Sequence, residues 1–216
     1  MVIILTALIV FGVVHSWLAG QNVKQGFRRR VGDRVYEGFY RLAYNLLAVV
    51  MLAPVGLLLI FAPGNVVWQV ESAPLALLLN GLRLLGLAAL GVALVQIDLA
   101  RFAGLAQVLA YFSGQPLPLP DEPLQTGGLY AHVRHPLYVA SLLILWPAPT
   151  MTEALLAFNV GATAYFLLGS IVEERRLVRA FGSAYIRYRQ HVPWMLPRLR
   201  PVTNVMIQEN LIEKRD

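Results

Sequence analysis

The sequence predicts an all-α, multi-pass transmembrane protein with about five membrane helices, including a C-terminal helical hairpin, and with cytoplasmic interfacial helices. Three observations lead to this fold class. Hydrophobic residues make up 57% of the 216 residues, long apolar runs recur along the chain, and the basic residues other than Arg83 lie in alternate loops. This combination is typical of a protein whose main solvent is lipid.

Four apolar runs define the predicted membrane segments. Runs 1–19, 42–62 and 75–97 each approach the length of about 20 residues that a helix needs to cross a bilayer core. The first run has neither a basic n-region nor an Ala-x-Ala cleavage site, so we expect a retained helix. The fourth run, 137–172, is long enough for a helical hairpin. Its first arm would be only about 16 Å long, which predicts a partly re-entrant arm or a deeply placed preceding loop.

The predicted turn of this hairpin is rich in proline. Pro147 and Pro149 end the first arm, because proline cannot continue a helix. Thr150 or Thr152 is then expected to cap the second arm, with Glu153 in its first turn.

The loops between the runs differ in charge. Six basic residues lie between the first two runs, two between the third run and the hairpin, and nine after residue 172, whereas 62–74 and 147–153 contain none. By the positive-inside rule the N-terminus faces outward, and the active-site side and the C-terminus face the cytoplasm at the cell's inner membrane. The net charge of +6 then follows from topology and from attraction to anionic lipid. Membrane lipid is therefore an expected partner and nucleic acid is not.

The chain is expected to have three parts. Residues 1–114 form N-terminal transmembrane helices followed by a short interfacial helix over 101–111, residues 115–197 form a cofactor-binding catalytic region with the hairpin, and residues 198–216 form a polar tail. The lack of cysteine excludes a disulfide framework, a thiolate metal site and a cysteine nucleophile. No set of spaced histidines indicates a metal site, and the sequence leaves the oligomeric state open.

One polar segment, 128–138, contains two histidines, one arginine and two tyrosines, although only 14% of the chain is charged. It is either an anchor belt of aromatic and basic residues, typical of helix ends, or a functional site. Glu173 and Glu174, where the last apolar run ends, either pair with arginines or complement a cationic ligand. Three residues near the cytoplasmic surface form an aromatic belt or line a substrate entrance: His15, Trp17 and Tyr44.

The second half of the chain contains a series of motifs in a specific order. They are Gly128-Leu129-Tyr130, Arg134-His135-Pro136-x-Tyr138, Glu173-Glu174-x-x-Leu177, Phe181-Gly182-x-x-Tyr185-x-x-Tyr188 and Val192-Pro193. Over roughly residues 115–197 the chain resembles the isoprenylcysteine carboxyl methyltransferase superfamily of integral-membrane methyltransferases. His15-Ser16 and the turn at Pro149-Thr150-Met151-Thr152 leading to Thr163-Ala164-Tyr165 are most similar to its methanethiol S-methyltransferase branch, and NnrU-type proteins are also similar.

The resemblance implies a site for S-adenosylmethionine. Members of the superfamily bind this cofactor with residues that correspond here to Tyr130, His135, Pro136, Leu137, Tyr138 and one acid of Glu173 and Glu174. Aromatic faces and carboxylates stabilise a sulfonium cation in a dry pocket. A helix that starts at Pro136, with Arg134 nearby, suits the cofactor carboxylate. The candidate catalytic residues are Arg134, His132 and His135, of which either histidine would take the proton of a thiol acceptor.

The acceptor is expected to be a small thiol. Superfamily members that methylate prenylcysteine carry an arginine one helical turn before the acidic pair, whereas that turn here contains Gly169 and Ser170. We therefore expect direct in-line methylation of methanethiol to dimethyl sulfide. The alternatives are a lipophilic acceptor, such as a prenylcysteine carboxylate or a phospholipid headgroup, and a non-enzymatic membrane protein of NnrU type. Within run 75–97, Gly81, Gly86 and Gly91 are expected to allow close helix packing.

Overall fold

The computed structural model describes residues 1–202. Helix accounts for 72% of the structure and sheet for little, so the predicted all-α class is confirmed at that level. In chain order the elements are α1 (Val2–Leu18), α2 (Gln21–Val31), α3 (Asp33–Phe61), β1 (Val66–Gln69), α4 (Ala73–Val95), α5 (Leu99–Ala103), α6 (Leu105–Phe112), α7 (Pro136–Leu145), β2 (Thr150–Thr152), α8 (Glu153–Phe181) and α9 (Ser183–His191). A single 3₁₀ turn, Gly128–Ala131, precedes α7.

Within residues 1–202, three helices are long and apolar enough to cross a membrane: α3, α4 and α8. Helices α1 and α2 meet the same criterion only as a pair, which bends by 59° at its break. Helix α7 is apolar but has only 10 residues, which is about 15 Å of helix. The described chain is thus a membrane protein with three candidate spans, or four if the bent pair counts as one.

The chain divides into two compact units. The first comprises Met1–Gln69, Asp98–Asp121 and Thr150–Ala162, and the second comprises Val70–Ile97, Glu122–Pro149 and the chain from Thr163 onward. The predicted polar tail lies mostly outside the described residues, because residues 203–216 are not described.

An apolar core holds the first unit together. Ile4 of α1, Val55 of α3, and Ala154 and Ala157 of α8 are each at most 3% exposed and pack against one another. Small alanines on α8 let its backbone approach the neighbouring helices closely, which is how helices associate where lipid supplies no hydrophobic driving force.

The predicted interfacial helix over 101–111 is divided into α5 and α6 at Gly104. This glycine has φ +97°, and a Cβ there would meet the backbone of Leu42. Asn45 of α3 donates hydrogen bonds to the carbonyls of Phe102 and Ala103, both at 3.0 Å. The break therefore results from a close approach to α3 that only glycine allows.

A two-stranded antiparallel ribbon was not predicted. It pairs Val66 with Thr152 and Gln69 with Thr150. Each strand has at most 4 residues, too few for a sequence period to be recognised. The predicted cap beside it is confirmed, since Thr152 Oγ1 accepts from the amide of Leu155 at 3.3 Å and α8 begins with Glu153.

In the second unit, α4 packs closely against α7. A Cβ on Gly86 would lie 2.9 Å from Ile144 Cγ1 and 3.1 Å from the carbonyl oxygen of Ala140. Arg83, one turn earlier on α4, donates from Nε to the Ile144 carbonyl at 3.2 Å. Gly81 and Gly91 have no neighbouring atom within 4 Å of a Cβ. Of these three glycines, only Gly86 has the predicted packing role in the described structure.

Replacing Gly86 with alanine should destabilise the protein by about 1–3 kcal/mol, because α7 must shift to admit the methyl group. The matched control is Gly81→Ala on the same helix, where the gain in helix propensity should leave the stability unchanged or raise it by up to about 1 kcal/mol. Unfolding of the purified protein by SDS in mixed micelles, followed by circular dichroism, measures both. Equal effects of the two substitutions would contradict the close contact between α4 and α7.

Candidate active site

The polar segment before α7 begins with a turn that requires glycine. Gly128 has φ +59°, and a Cβ there would collide with the side-chain amide of Gln96. Gln96 Oε1 accepts a hydrogen bond from the amide of Leu129 at 3.0 Å. The 3₁₀ turn is therefore held against the end of α4. The predicted start of a helix at Pro136 is confirmed.

The backbone after this turn is held by the C-terminal segment. The amide of Arg134 donates to the Pro193 carbonyl at 2.9 Å, and the amide of Arg198 donates to the His132 carbonyl at 3.1 Å. The amide of Val202 donates to the Ala131 carbonyl at 3.0 Å, and Val202 is buried. The amides of His132 and Val133 bond back to the Leu129 carbonyl, whereas residues 193–202 supply partners for the Arg134 amide and for the Ala131 and His132 carbonyls.

Two consecutive carboxylates of α8 face this segment, and together with it they form a polar cluster. Tyr138 donates its hydroxyl hydrogen to Glu173 Oε2 at 2.9 Å. Arg134 pairs with Glu174 Oε1 at 2.9 Å. His135 lies between the two acids, with Nδ1 3.6 Å from Glu173 Oε2 and Nε2 3.3 Å from Glu174 Oε1. The structure thus brings together five of the predicted site residues.

This cluster combines a buried imidazole with excess negative charge. His135 is 4% exposed, and a neutral ring can donate through only one of its two nitrogens. The carboxylate of Glu173 is more open, because its side chain is 47% exposed. Glu173 therefore presents a negative charge to whatever binds beside Tyr138.

An aromatic stack borders the cluster. The rings of His135 and Tyr138 stack with centroids 5.4 Å apart, and Tyr138 stacks on Phe166 of α8 at 5.2 Å. Phe166 was not predicted as a site residue. Its position seven residues before Glu173 could have indicated it, since two helical turns return to the same face.

Tyr130 lies in the 3₁₀ turn and faces the same carboxylate. Its carbonyl accepts a hydrogen bond from the Tyr188 hydroxyl at 2.7 Å. Burial and the nearby negative charge of Glu173 raise the pKa of Tyr130 to about 12. Its phenol therefore stays neutral at physiological pH and can donate a hydrogen bond. Pro136 is buried at the start of α7, and the Leu137 carbonyl accepts from Ser141 at 2.8 Å.

His132 has a different environment from His135. Its Nδ1 lies 2.8 Å from the carbonyl oxygen of Arg198. Because a carbonyl only accepts, Nδ1 carries the hydrogen when the ring is neutral, and Nε2 keeps its lone pair. Nε2 is therefore the ring nitrogen of neutral His132 that can accept a proton.

The helical turn before the acidic pair contains no cation. Ser170 is fully buried and accepts from Trp194 Nε1 at 3.1 Å while it donates to the Leu167 carbonyl at 2.8 Å. A Cβ on Gly169 would lie 3.7 Å from the Tyr138 hydroxyl. The contact between Trp194 and Ser170 was not predicted. The two residues lie 24 positions apart, so no local sequence pattern indicates the contact.

The residues predicted to line a substrate entrance belong to the first unit. His15 and Tyr44 pack with ring centroids 4.1 Å apart, and the Tyr44 hydroxyl donates to the His15 carbonyl at 3.4 Å. Trp17 is 64% exposed. Their role at an entrance stays a prediction.

Comparisons with known proteins give a consistent result. The family model for NnrU protein matches residues 3–149. The methanethiol S-methyltransferase of Pseudomonas deceptionensis is 34% identical over 194 residues, covering 88% of this chain and 70% of its own length. The methanethiol S-methyltransferase of Mycobacterium tuberculosis is 33% identical, covering 91% of this chain and 78% of its own. The protein-S-isoprenylcysteine O-methyltransferase of Schizosaccharomyces pombe is 35% identical over 82 residues, which is 36% of this chain and 34% of its own. No solved structure matches.

Replacing Gly128 with alanine should destabilise the protein by about 1–3 kcal/mol, because a left-handed backbone is strained for a side-chain-bearing residue and Gln96 must move. Gly127→Ala is the matched control, since Gly127 has no atom within 4 Å of a Cβ. The two variants should differ in SDS-induced unfolding by that amount. Equal stability would show that Gln96 does not hold the turn.

Proposed function

The chain belongs to the family of NnrU and methanethiol S-methyltransferase membrane proteins, and from that premise we propose that it transfers a methyl group from S-adenosylmethionine to a small thiol. The methanethiol S-methyltransferase relatives, which align with most of the chain, identify it as a methyltransferase. The donor, the acceptor and the roles of individual residues are the parts that we propose.

One observation carries the proposal: an open carboxylate, a buried imidazole and stacked aromatic rings meet at the start of α7. Glu173, His135 and Tyr138 are linked by contacts of 2.9 and 3.6 Å. Carboxylates and aromatic faces stabilise a fixed cation, particularly where water is scarce. The set suits a sulfonium ligand better than an anionic one.

The residues present fit both the cationic part and the carboxylate of S-adenosylmethionine. Glu173 would hold the cationic part, with Tyr130 and Tyr138 as neutral hydroxyl groups beside it. The N–H groups of Leu137 and Tyr138 lie in the first turn of α7, where they point beyond the N-terminus of the helix, and they suit a carboxylate. When bound, the cofactor supplies an electrophilic methyl group on sulfur. Pro136 and the His135 ring exclude water from this side, since both are buried.

Arg134 and Glu174 act as positioning residues in this proposal. Arg134 is held at 2.9 Å by Glu174, and their side chains are 11% and 14% exposed. Arg134 neutralises the charge of Glu174. Glu174 Oε1 in turn orients the His135 ring, since it lies 3.3 Å from Nε2. Glu173 is then the acid that remains for a cationic ligand.

A small thiol is the acceptor that the described residues favour. The turn before the acidic pair, where superfamily members that methylate prenylcysteine carry an arginine, offers only Gly169 and a Ser170 that is buried and already hydrogen-bonded. A thiol reacts as its thiolate, and His132 Nε2 is the proposed proton acceptor because its Nδ1 is occupied by the Arg198 carbonyl. Catalysis then consists mainly of alignment and exclusion of water.

The proposed topology has five helical segments in the inner membrane. We assign α1, α3 and α4 as crossing helices and α7 with α8 as a hairpin. The lack of basic residues in 62–74 and 147–153 supports an outward position for these loops. The cluster at the start of α7 then lies on the cytoplasmic side, where S-adenosylmethionine is available. Residues 115–197 remain the proposed cofactor-binding region.

Glu173→Gln should weaken S-adenosylmethionine binding at least about tenfold, which corresponds to about 1.4 kcal/mol, because the neutral amide no longer complements a sulfonium. Isothermal titration calorimetry on the purified protein measures this change. Glu153→Gln is the matched control on the same helix, since its carboxylate pairs with Asn65 in the first unit. Unchanged affinity of a folded Glu173→Gln variant would refute the assigned role.

The acceptor is tested by supplying labelled S-adenosylmethionine together with methanethiol, a phospholipid or a prenylcysteine. We expect volatile labelled dimethyl sulfide, detected by gas chromatography, and no methylation of the other two. Labelled lipid or methyl ester would refute the thiol assignment while leaving the donor site intact. No transfer to any acceptor, with no cofactor binding, would refute the proposed function as a whole.

A further inference from the structure

An open cavity of about 710 Å³ lies beside the cluster, at the end of α8 and against α9. Its lining has an unusual charge. Four arginines line it, namely Arg134, Arg175, Arg179 and Arg189, and Glu174 is the one carboxylate of residues 1–202 that does so. The lining therefore carries three more positive than negative charges.

Within residues 1–202, this positive charge is not neutralised by acidic side chains. Glu174 already pairs with Arg134 at 2.9 Å, and Arg189 reaches it only at 3.9 Å. Arg175 and Arg179 are four residues apart on α8, and within the described chain neither is in an ion pair. Like charges at this spacing repel each other, so an anion in the cavity would relieve the repulsion.

The rest of the lining is apolar. Ile171, Val178 and Ile186 supply aliphatic surface, and Trp194 adds an aromatic ring whose indole nitrogen bonds to Ser170. The apolar part of α8 ends at residue 172, directly before the charged residues. A cavity lined by both arginines and aliphatic residues, at the end of a membrane helix, suits a ligand with an anionic head and an apolar chain.

We propose that this cavity binds the phosphate of an anionic phospholipid, with the lipid chain against the aliphatic residues of the lining. Arginine binds phosphate through paired N–H groups and is the favoured residue for this contact. The choice of a lipid over a soluble phosphate rests on the proposed topology, which puts this end of α8 at the cytoplasmic leaflet, where anionic lipids are found. Because Arg134 and Glu174 line the cavity and also belong to the polar cluster, the bound lipid would contact the edge of the proposed cofactor site.

The test measures ligand binding to the purified full chain in neutral detergent by microscale thermophoresis. The separate ligands are dioctanoylphosphatidylglycerol, dioctanoylphosphatidylcholine and inorganic phosphate. We expect the phosphatidylglycerol to bind at least about tenfold more tightly than either of the others. The double variant Arg175→Gln/Arg179→Gln should lose this preference. Its matched control is Arg29→Gln/Arg30→Gln, which removes the same charge from the exposed face of α2 and should change the affinity by less than about twofold.

Three results would overturn the proposal. Equal loss in the two double variants would show that total charge, and not the cavity, attracts the lipid. Binding of inorganic phosphate as tight as that of phosphatidylglycerol would assign the cavity to a soluble phosphate. Equal affinity for the two lipids would exclude recognition of the headgroup. If the double variant does not fold, the single variant Arg179→Gln is measured in its place. Calorimetry with S-adenosylmethionine on the same sample shows whether the cofactor still binds, which separates failure of the lipid proposal from failure of the proposed function.

Discussion

The pairing of two adjacent carboxylates with one histidine is the interaction on which the rest of the site depends. Successive residues of a helix point about 100° apart, so Glu173 and Glu174 reach different partners although they are neighbours in sequence. Tyr138 and Arg134 take one acid each at 2.9 Å, and His135 contacts both. Because an unpaired carboxylate is costly to bury, this pairing holds the end of α8 against the segment that precedes α7.

The segment that meets these acids has little regular structure of its own. Its backbone is held by the side chain of Gln96 on one side and by residues 193–202 on the other. Each such hydrogen bond contributes only about 1 kcal/mol, but together they determine where His132, Arg134 and His135 point. The C-terminal residues thereby belong to the architecture of the site, although they are distant from it in sequence.

The position of the cluster also explains its composition. It lies at the start of an apolar helix of 10 residues and near the point where α8 changes from apolar to charged sequence. A site at such a boundary is accessible to a charged cofactor from water and to an apolar acceptor from lipid. The arginine-lined cavity, with the anionic phospholipid that we propose for it, adds a third component of the same boundary.

Local sequence patterns were enough to predict the helical membrane class and the helix starts at Pro136 and Glu153. These features depend on composition, helix periodicity and proline geometry, which act over a few residues. The resemblance to a known superfamily was needed to select the residues that the structure brings together, which are the two acids, Arg134, His135 and Tyr138. The break at Gly104, the ribbon and the contacts of Phe166 and Trp194 were decided by tertiary structure. Each of them depends on a residue distant in sequence, and a steric or hydrogen-bonding partner supplied from far along the chain leaves no local signal.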